Sequence, residues 1–400
     1  MTTETKKRPA ELASFYRREL LENCLPYWVE HLPDRECGGY RTCLCRDWSV
    51  YDDDKLCMWC SGRIVWIFSF LYNELEKREE WLRLAAEGVD FINKYGFAPD
   101  GTMYYALARD GRPLVPARDV FVELFTVPGF SEFARATGDN ELYERARELF
   151  MSVWDRLKRP GDAFQPFIAD TRPVRRHGHS MGPLITLQEL RRTREDPAYE
   201  TMINECIHNI TTLHMRPEHK ALLEIVTWDG NPAPGSMGRW INPGHMIESG
   251  IFIIHEGQRR SDRRLIEKGV TLIDWGFEWG WDKEFGGIYN DVDLKGLPAP
   301  SGRDFVGEKK LWWQHAEALY GLLLAYSVTD DEKYMKAYEL THDYSFSRFA
   351  DPEHGEWFAV LDRRGNIIND AKGTARKSPF HIPRNFYFCY KLIEKMTVAG

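Results

Sequence analysis

Apolar residues return every three to four positions through most of this chain, the spacing of helices that turn one face to a core. The pattern predicts helices over residues 12–29, 59–75, 80–95, 120–137, 141–157 and 181–192. It continues over 199–214, 243–258, 262–279, 309–328, 331–349 and 379–395. Many of these runs begin or end at Gly, Pro, Asp or Asn, residues that cap helices or stop them. A second pattern recurs between helix pairs, two short β-like segments around a turn. It is plain at Gly38-Gly39-Tyr40, at Gly101 to Gly111, at Gly286-Gly287-Ile288-Tyr289 and at Gly355-Glu356-Trp357-Phe358. Weaker copies surround Phe164 and Ile225, so the centres fall near 40, 105, 165, 225, 289 and 358. An even repeat of this length marks a stack of similar units rather than separate domains. Twelve helices in six hairpins predict an all-α (α/α)6 barrel, one domain over residues 1–400, with short β-hairpins in its connecting loops.

Composition narrows the partners. Net charge is −8 with both signs mixed and no Lys/Arg block, which argues against nucleic acid. The polar start and the lack of a run near the roughly 20 apolar residues of a membrane span predict a soluble cytoplasmic protein. Aromatics reach 14% of the chain, enough for a large core and for walls that stack on sugar rings. Five of the eight cysteines fall between Cys37 and Cys60, including the pair in Cys57-Met58-Trp59-Cys60. With no His among them they read as free thiols rather than a zinc site.

The chemistry centres on Asn242-Pro243-Gly244-His245-Met246-Ile247-Glu248. Asn242 is a good N-cap and Pro243 suits the first helical position, so His245 falls in the first turn. The positive end of the helix there favours a neutral imidazole, and Glu248 shares its face and could orient the ring. Similar polar residues stand near the start of every second helix: Arg63, Glu123, His179, Glu317, and His381 with Arg384. If alternate helices form the inner ring, all of these converge on one mouth. Imidazoles and guanidiniums without a nucleophile motif, a phosphate loop or a dinucleotide fingerprint point to proton transfer. His245 and His381 could act on opposite faces of one carbon, with Arg63 and Arg384 stabilising the developing oxyanion. Trp59, Trp312 and Trp313 lie among them and suit the apolar face of a pyranose. No helical face carries His at i and i+4, so no metal is expected despite the His-rich Arg176-His177-Gly178-His179.

In Gly38-Gly39-Tyr40, Gly62-Arg63, Asn242 to Glu248, Leu311-Trp312-Trp313-Gln314-His315-Ala316-Glu317 and Phe380-His381-Ile382-Pro383-Arg384, the chain resembles the N-acylglucosamine 2-epimerase family along nearly its whole length. The resemblance implies an (α/α)6 barrel, a homodimer, and catalytic roles for Arg63, His245, Glu317 and His381, with Glu248 and Arg384 close by. It implies an isomerase that opens the sugar ring and moves the C2 proton through a cis-enediolate, with no cofactor. Interconversion of N-acetylglucosamine and N-acetylmannosamine is the leading expectation. A 2-epimerase or aldose–ketose isomerase for an unsubstituted sugar is the nearest alternative, since the enediolate is shared. An (α/α)6 glycoside hydrolase would need two carboxylates across the scissile bond, for which Glu123, Glu248 and Glu317 are available. A non-catalytic binding protein would leave the acid–base set without a use.

Overall fold

The computed structural model describes residues 3–159, 171–296 and 307–399. The first predicted helix is interrupted: α1 (Thr3–Arg18) passes through a wide π turn (Glu19–Cys24) into α2 (Leu25–His31). Pro26 has no N–H to donate and its ring crowds the carbonyl one turn back, so the helix widens there. The chain continues through α3 (Met58–Glu74), α4 (Glu79–Tyr95), α5 (Phe121–Thr137), α6 (Asn140–Leu157), α7 (Gly178–Thr193) and α8 (Pro197–His208). It ends with α9 (Pro243–Arg260), α10 (Arg263–Gly280), α11 (Trp312–Thr329), α12 (Glu332–Arg348) and α13 (His381–Ala399).

The odd-numbered helices from α3 to α13 form the inner ring, each packing on the next. Trp66 of α3 against Phe380 (5.5 Å between rings) and Phe70 against Tyr387 (5.0 Å) close the circle. Composition sorts the two rings. The inner α3 and α11 are apolar around most of their circumference and bury 12 of 17 and 13 of 18 residues. The outer α4 and α10 bury one stripe and leave the other face charged, as an amphipathic cover does. Gly62 and Gly129 let α3 and α5 touch backbone to backbone; a Cβ at Gly62 would stand 2.6 Å from the Phe125 carbonyl oxygen.

The two ends of the barrel differ. Inner helices turn into outer ones through short links at 75–78, 138–139, 194–196, 261–262 and 330–331. Asp139, Asp196, Asp262 and Asp331 each accept a backbone N–H at the start of the outer helix that each precedes. Outer helices return to inner ones through long loops at the opposite end, where all the inner N-termini open. Those loops hold the predicted hairpins, such as Cys43–Leu44 with Val50–Asp52 and Ala106–Leu107 with Pro113–Val115. The copy expected near 165 lies outside the described residues. The strand Val174–Arg176, just beyond it, pairs with Ile225–Thr227 of the next copy, and Trp240–Ile241 pairs with Val292–Asp293. Neighbouring loops are thus stitched together around the mouth. Among the described residues no helix is long and apolar enough to cross a membrane, and all eight cysteines are free thiols.

Candidate active site

At the loop-bearing mouth a cavity of about 800 Å³ runs down the axis of the ring. The residues facing it recur at three or four positions on each inner helix, as one side of a helix must. Trp59, Arg63 and Trp66 come from α3, and Phe121 and Phe125 from α5. His245, Glu248, Phe252 and His255 come from α9, and Trp312, Trp313, Glu317 and Tyr320 from α11. His381, Arg384, Asn385 and Phe388 complete the lining from α13. Nine of the eleven residues singled out from the sequence therefore share one cavity.

Glu317 anchors one half of the site. Its Oε1 accepts hydrogen bonds from His381 Nδ1 at 2.6 Å, from Asn385 Nδ2 at 2.7 Å and from Arg384. Burial works against the Glu317 carboxylate, yet Arg384 and His381 overcome it and bring its pKa down to about 2. Glu248 reaches the same Arg384 only at 3.4 Å. Burial, reinforced by the charge of Glu317, pushes Glu248 up to about 7 against the pull of Arg384. Two carboxylates share one guanidinium, and the better-bonded one holds the charge. His381 is pushed down to about 3, chiefly by burial, although Glu317 opposes the shift. Its ring is neutral at physiological pH, and with Nδ1 engaged its Nε2 is the nitrogen left for a substrate.

His245 has a different setting. Asn242 caps α9 by accepting the His245 N–H at 2.9 Å, and Asp291 holds the Asn242 amide at 3.1 Å. The helix start alone would favour the neutral ring, but Glu224 lies 3.0 Å from its Nδ1. Burial lowers the His245 pKa; the charge and hydrogen bond of Glu224 outweigh it and leave the value raised. The expectation that the helix start lowers the His245 pKa is corrected for that reason. Glu248, expected to orient this ring, pairs with Arg384 instead. Glu224 comes from the loop before Ile225–Thr227, and nothing periodic in the sequence singles it out. Behind it, His177 Nδ1 stands 3.5 Å from Glu224 and Nε2 meets Ser249 Oγ at 2.8 Å. The Trp313 indole touches both imidazoles, 5.3 Å from His245 and 5.6 Å from His381. Gly244 makes room for it, since a Cβ there would lie 2.5 Å from the indole.

Arg63 is stacked rather than paired. Its guanidinium lies 3.8 Å from the Phe125 ring and 4.7 Å from Phe380, and among the described residues its Nε has no hydrogen-bond partner. Burial lowers its pKa from the ordinary arginine value, but the group stays cationic and is available to an anionic oxygen. Two expected residues do not reach the cavity. Glu123 is two positions from both Phe121 and Phe125, about 200° around the helix, and points outward to Arg156 at 3.0 Å. His179 sits off the α7 stripe of Gly178, Met181 and Gly182 and borders a separate pocket with Trp154 and Trp228. Its neighbour His177, one residue ahead of the helix, is the imidazole that approaches His245, with 6.2 Å between rings. His177, Glu224, Asp291 and His255 are therefore the residues that the sequence reading passed over.

Two triads, His177-Glu224-His245 and Glu248-Glu317-His381, bring metal-type donor atoms within 4.8 Å of one another. In each the carboxylate charge is already met by an imidazole or by Arg384, so a cation would have to displace those bonds.

The profile of the N-acylglucosamine 2-epimerase (GlcNAc 2-epimerase) family matches residues 38–383. The N-acylglucosamine 2-epimerase of Bos taurus is 33% identical over 388 residues, 94% of this chain and 90% of its own. The chain belongs to the N-acylglucosamine 2-epimerase family. A cellobiose 2-epimerase of Dictyoglomus turgidum is 25% identical over 93% of this chain and 95% of its own. In three dimensions the cellobiose 2-epimerase of Spirochaeta thermophila superposes with a TM-score of 0.84 at 20% identity, covering 99% of this chain and 100% of that one. The span matched by the N-acylglucosamine 2-epimerase profile takes in Arg63, Glu224, His245, Glu317 and His381, while α1, α2 and most of α13 lie outside it.

Proposed function

We propose that this protein is a sugar 2-epimerase that interconverts N-acetylglucosamine and N-acetylmannosamine without a cofactor. The observation that carries the reading is the pair of imidazoles, His245 and His381, both against Trp313 in one cavity, each with a carboxylate on its Nδ1. The two differ in basicity. Burial holds His381 low, leaving it free to accept a proton, whereas Glu224 raises His245 and so favours a ring that carries one. Such a difference suits a reaction that removes a proton on one face and returns one on the other.

In this reading the opened sugar lies with C2 between the two Nε2 atoms. His381 takes the C2 proton, the electron pair moves to the C1 oxygen, and the enolate of the 2-acetamido aldehyde forms. His245 then protonates C2 from the opposite face, and the roles exchange in the reverse direction. General acid–base catalysis of this kind is worth on the order of 10²–10⁴ in rate. Arg63, which bonds no carboxylate among the described residues, supports the enolate oxygen, and one well-placed donor contributes about 3–4 kcal/mol. Trp59, Trp312 and Trp313 supply apolar walls for the ring carbons and the N-acyl methyl group. A cytoplasmic location and a homodimer belong to the same proposal, the latter checked by sedimentation.

The test is deuterium exchange. Incubation in D2O with N-acetylmannosamine, N-acetylglucosamine, mannose and glucose in turn is followed at C2 by NMR. Label entering C2 of the inverted N-acetylhexosamine is expected. A ketose product, or exchange with unsubstituted sugars alone, would reject the assignment. Both His245→Ala and His381→Ala should abolish exchange while circular dichroism stays unchanged, and near-normal turnover in either removes that residue from the pair.

A further inference from the structure

The cysteine pair of Cys57-Met58-Trp59-Cys60 has no part in the proton transfer, yet it flanks Trp59, which lines the cavity. Cys57 is the N-cap of α3, with extended backbone (φ −152°), and the Cys60 N–H bonds its carbonyl at 3.1 Å. Both side chains are buried, and the two thiols stand close enough to shift each other's ionisation. Residues three apart at a helix start have Cα atoms roughly 5–6 Å apart, within the span that a disulfide bridges. We propose that Cys57 and Cys60 form a reversible disulfide that switches the sugar site off when a hydroperoxide is present.

Each sulfur is tied to a different wall of the site. Cys60 Sγ donates to the Ala375 carbonyl at 3.5 Å, in the loop that carries Arg376 to the cavity and leads into His381. Cys57 stands close to Tyr105, which lines the cavity and whose carbonyl accepts the Met58 N–H at 2.8 Å. Trp59, inside the four-residue ring that a disulfide would close, lines the cavity and packs over Arg63 at 5.4 Å. Joining the sulfurs removes both S–H donors, including the one to the Ala375 carbonyl, and constrains Trp59. The thiols are also unequal. Cys60 is lowered, first by the Cys57 hydrogen bond and then by Arg63, with burial opposing. Cys57 is held well above the usual range, first by burial. Of the two, Cys60 is the sulfur that a small hydroperoxide would meet as the better nucleophile.

The chemistry balances. Cys60 thiolate attacks one oxygen of the hydroperoxide, the O–O bond breaks, and Cys60 sulfenic acid forms with release of hydroxide. Cys57 sulfur then attacks the Cys60 sulfur, the S–O bond breaks, and the departing hydroxide takes the Cys57 proton as water. Two thiols are oxidised while, with hydrogen peroxide, the oxidant is reduced to two waters.

Trypsin isolates the pair, because residues 56–63 lie between Lys55 and the cleavage site after Arg63 and hold no other cysteine. Protein treated with hydrogen peroxide, quenched with N-ethylmaleimide and digested should yield this peptide two hydrogens lighter and unalkylated. Epimerase activity should fall on the order of tenfold, as expected for a displaced site wall, and dithiothreitol should restore both. Cys57→Ser, with Cys57→Ala as a second variant should the first misfold, should retain basal activity and ignore peroxide. A doubly alkylated 56–63 peptide, a link to the peptide holding Cys43, a disulfide without loss of activity, or equal peroxide loss in the Cys57 variants would each overturn the proposal. The peptide readout does not depend on the sugar assignment, so failure of one is distinguishable from failure of the other.

Discussion

Replacing Glu224 by Gln keeps the shape of the side chain and removes the charge behind His245. In the wild type that carboxylate lies 3.0 Å from Nδ1 and is itself only 5% exposed. A hydrogen bond to a charged group contributes about 1.5–3 kcal/mol. At about 1.4 kcal/mol per pH unit, its loss should lower the His245 pKa by roughly one to two units. Burial, the largest influence on this ring, is then opposed only by the more distant charges of Glu248 and Asp291. The sign is fixed by the role of the ring. With His245 as the acid, kcat in that direction falls as pH rises through its pKa, so the alkaline limb should move to lower pH in Glu224→Gln. Stability gives a second readout. The raised His245 contributes stability that is complete below its ordinary value of 6.5 and is lost as pH rises through the folded value. Glu224, held well below its ordinary 4.5 by His245 and its hydrogen bonds despite burial, contributes stability above 4.5 that is lost as pH falls. The thermal midpoint should therefore drop most between pH 4.5 and 6.5. Deuterium exchange rates across pH and calorimetry check both. A lower kcat with the alkaline limb unmoved would refute the assignment of Glu224 to His245.

Three further substitutions separate chemistry from scaffold. Arg63→Lys keeps the charge but loses the planar group stacked on Phe125, and kcat should fall by about 10²–10³ with little change in KM, read by steady-state kinetics. Gly244→Ala forces a methyl into the Trp313 indole that touches both imidazoles, and kcat should fall on the order of 10² while the helix content measured by circular dichroism is kept. Glu123→Gln weakens the outward pair with Arg156 and should cost about 1–3 kcal/mol in urea unfolding, with kcat and KM unchanged.

The chain itself specified the barrel to a large extent. Apolar spacing, the Asp caps that start outer helices and the Gly-rich turns are local signals, each settled by a few neighbouring residues, and they placed the twelve helices close to where they lie. Helix starts were equally legible: Asn242 and Pro243 put His245 in a first turn, and the same local logic brought His381, Arg384 and Glu317 to the mouth. Direction around a helix was harder to read. Glu123 and His179 sit near helix starts as their partners do, but at about 100° per residue a shift of one or two positions turns a side chain out of the cavity. Charge state was decided only by tertiary structure. Glu224 reaches His245 from a loop with no periodic mark, and its field reverses the shift that burial and the helix start would impose. Sequence neighbours fix backbone conformation, whereas a pKa depends on charges a few ångströms away in space and far along the chain.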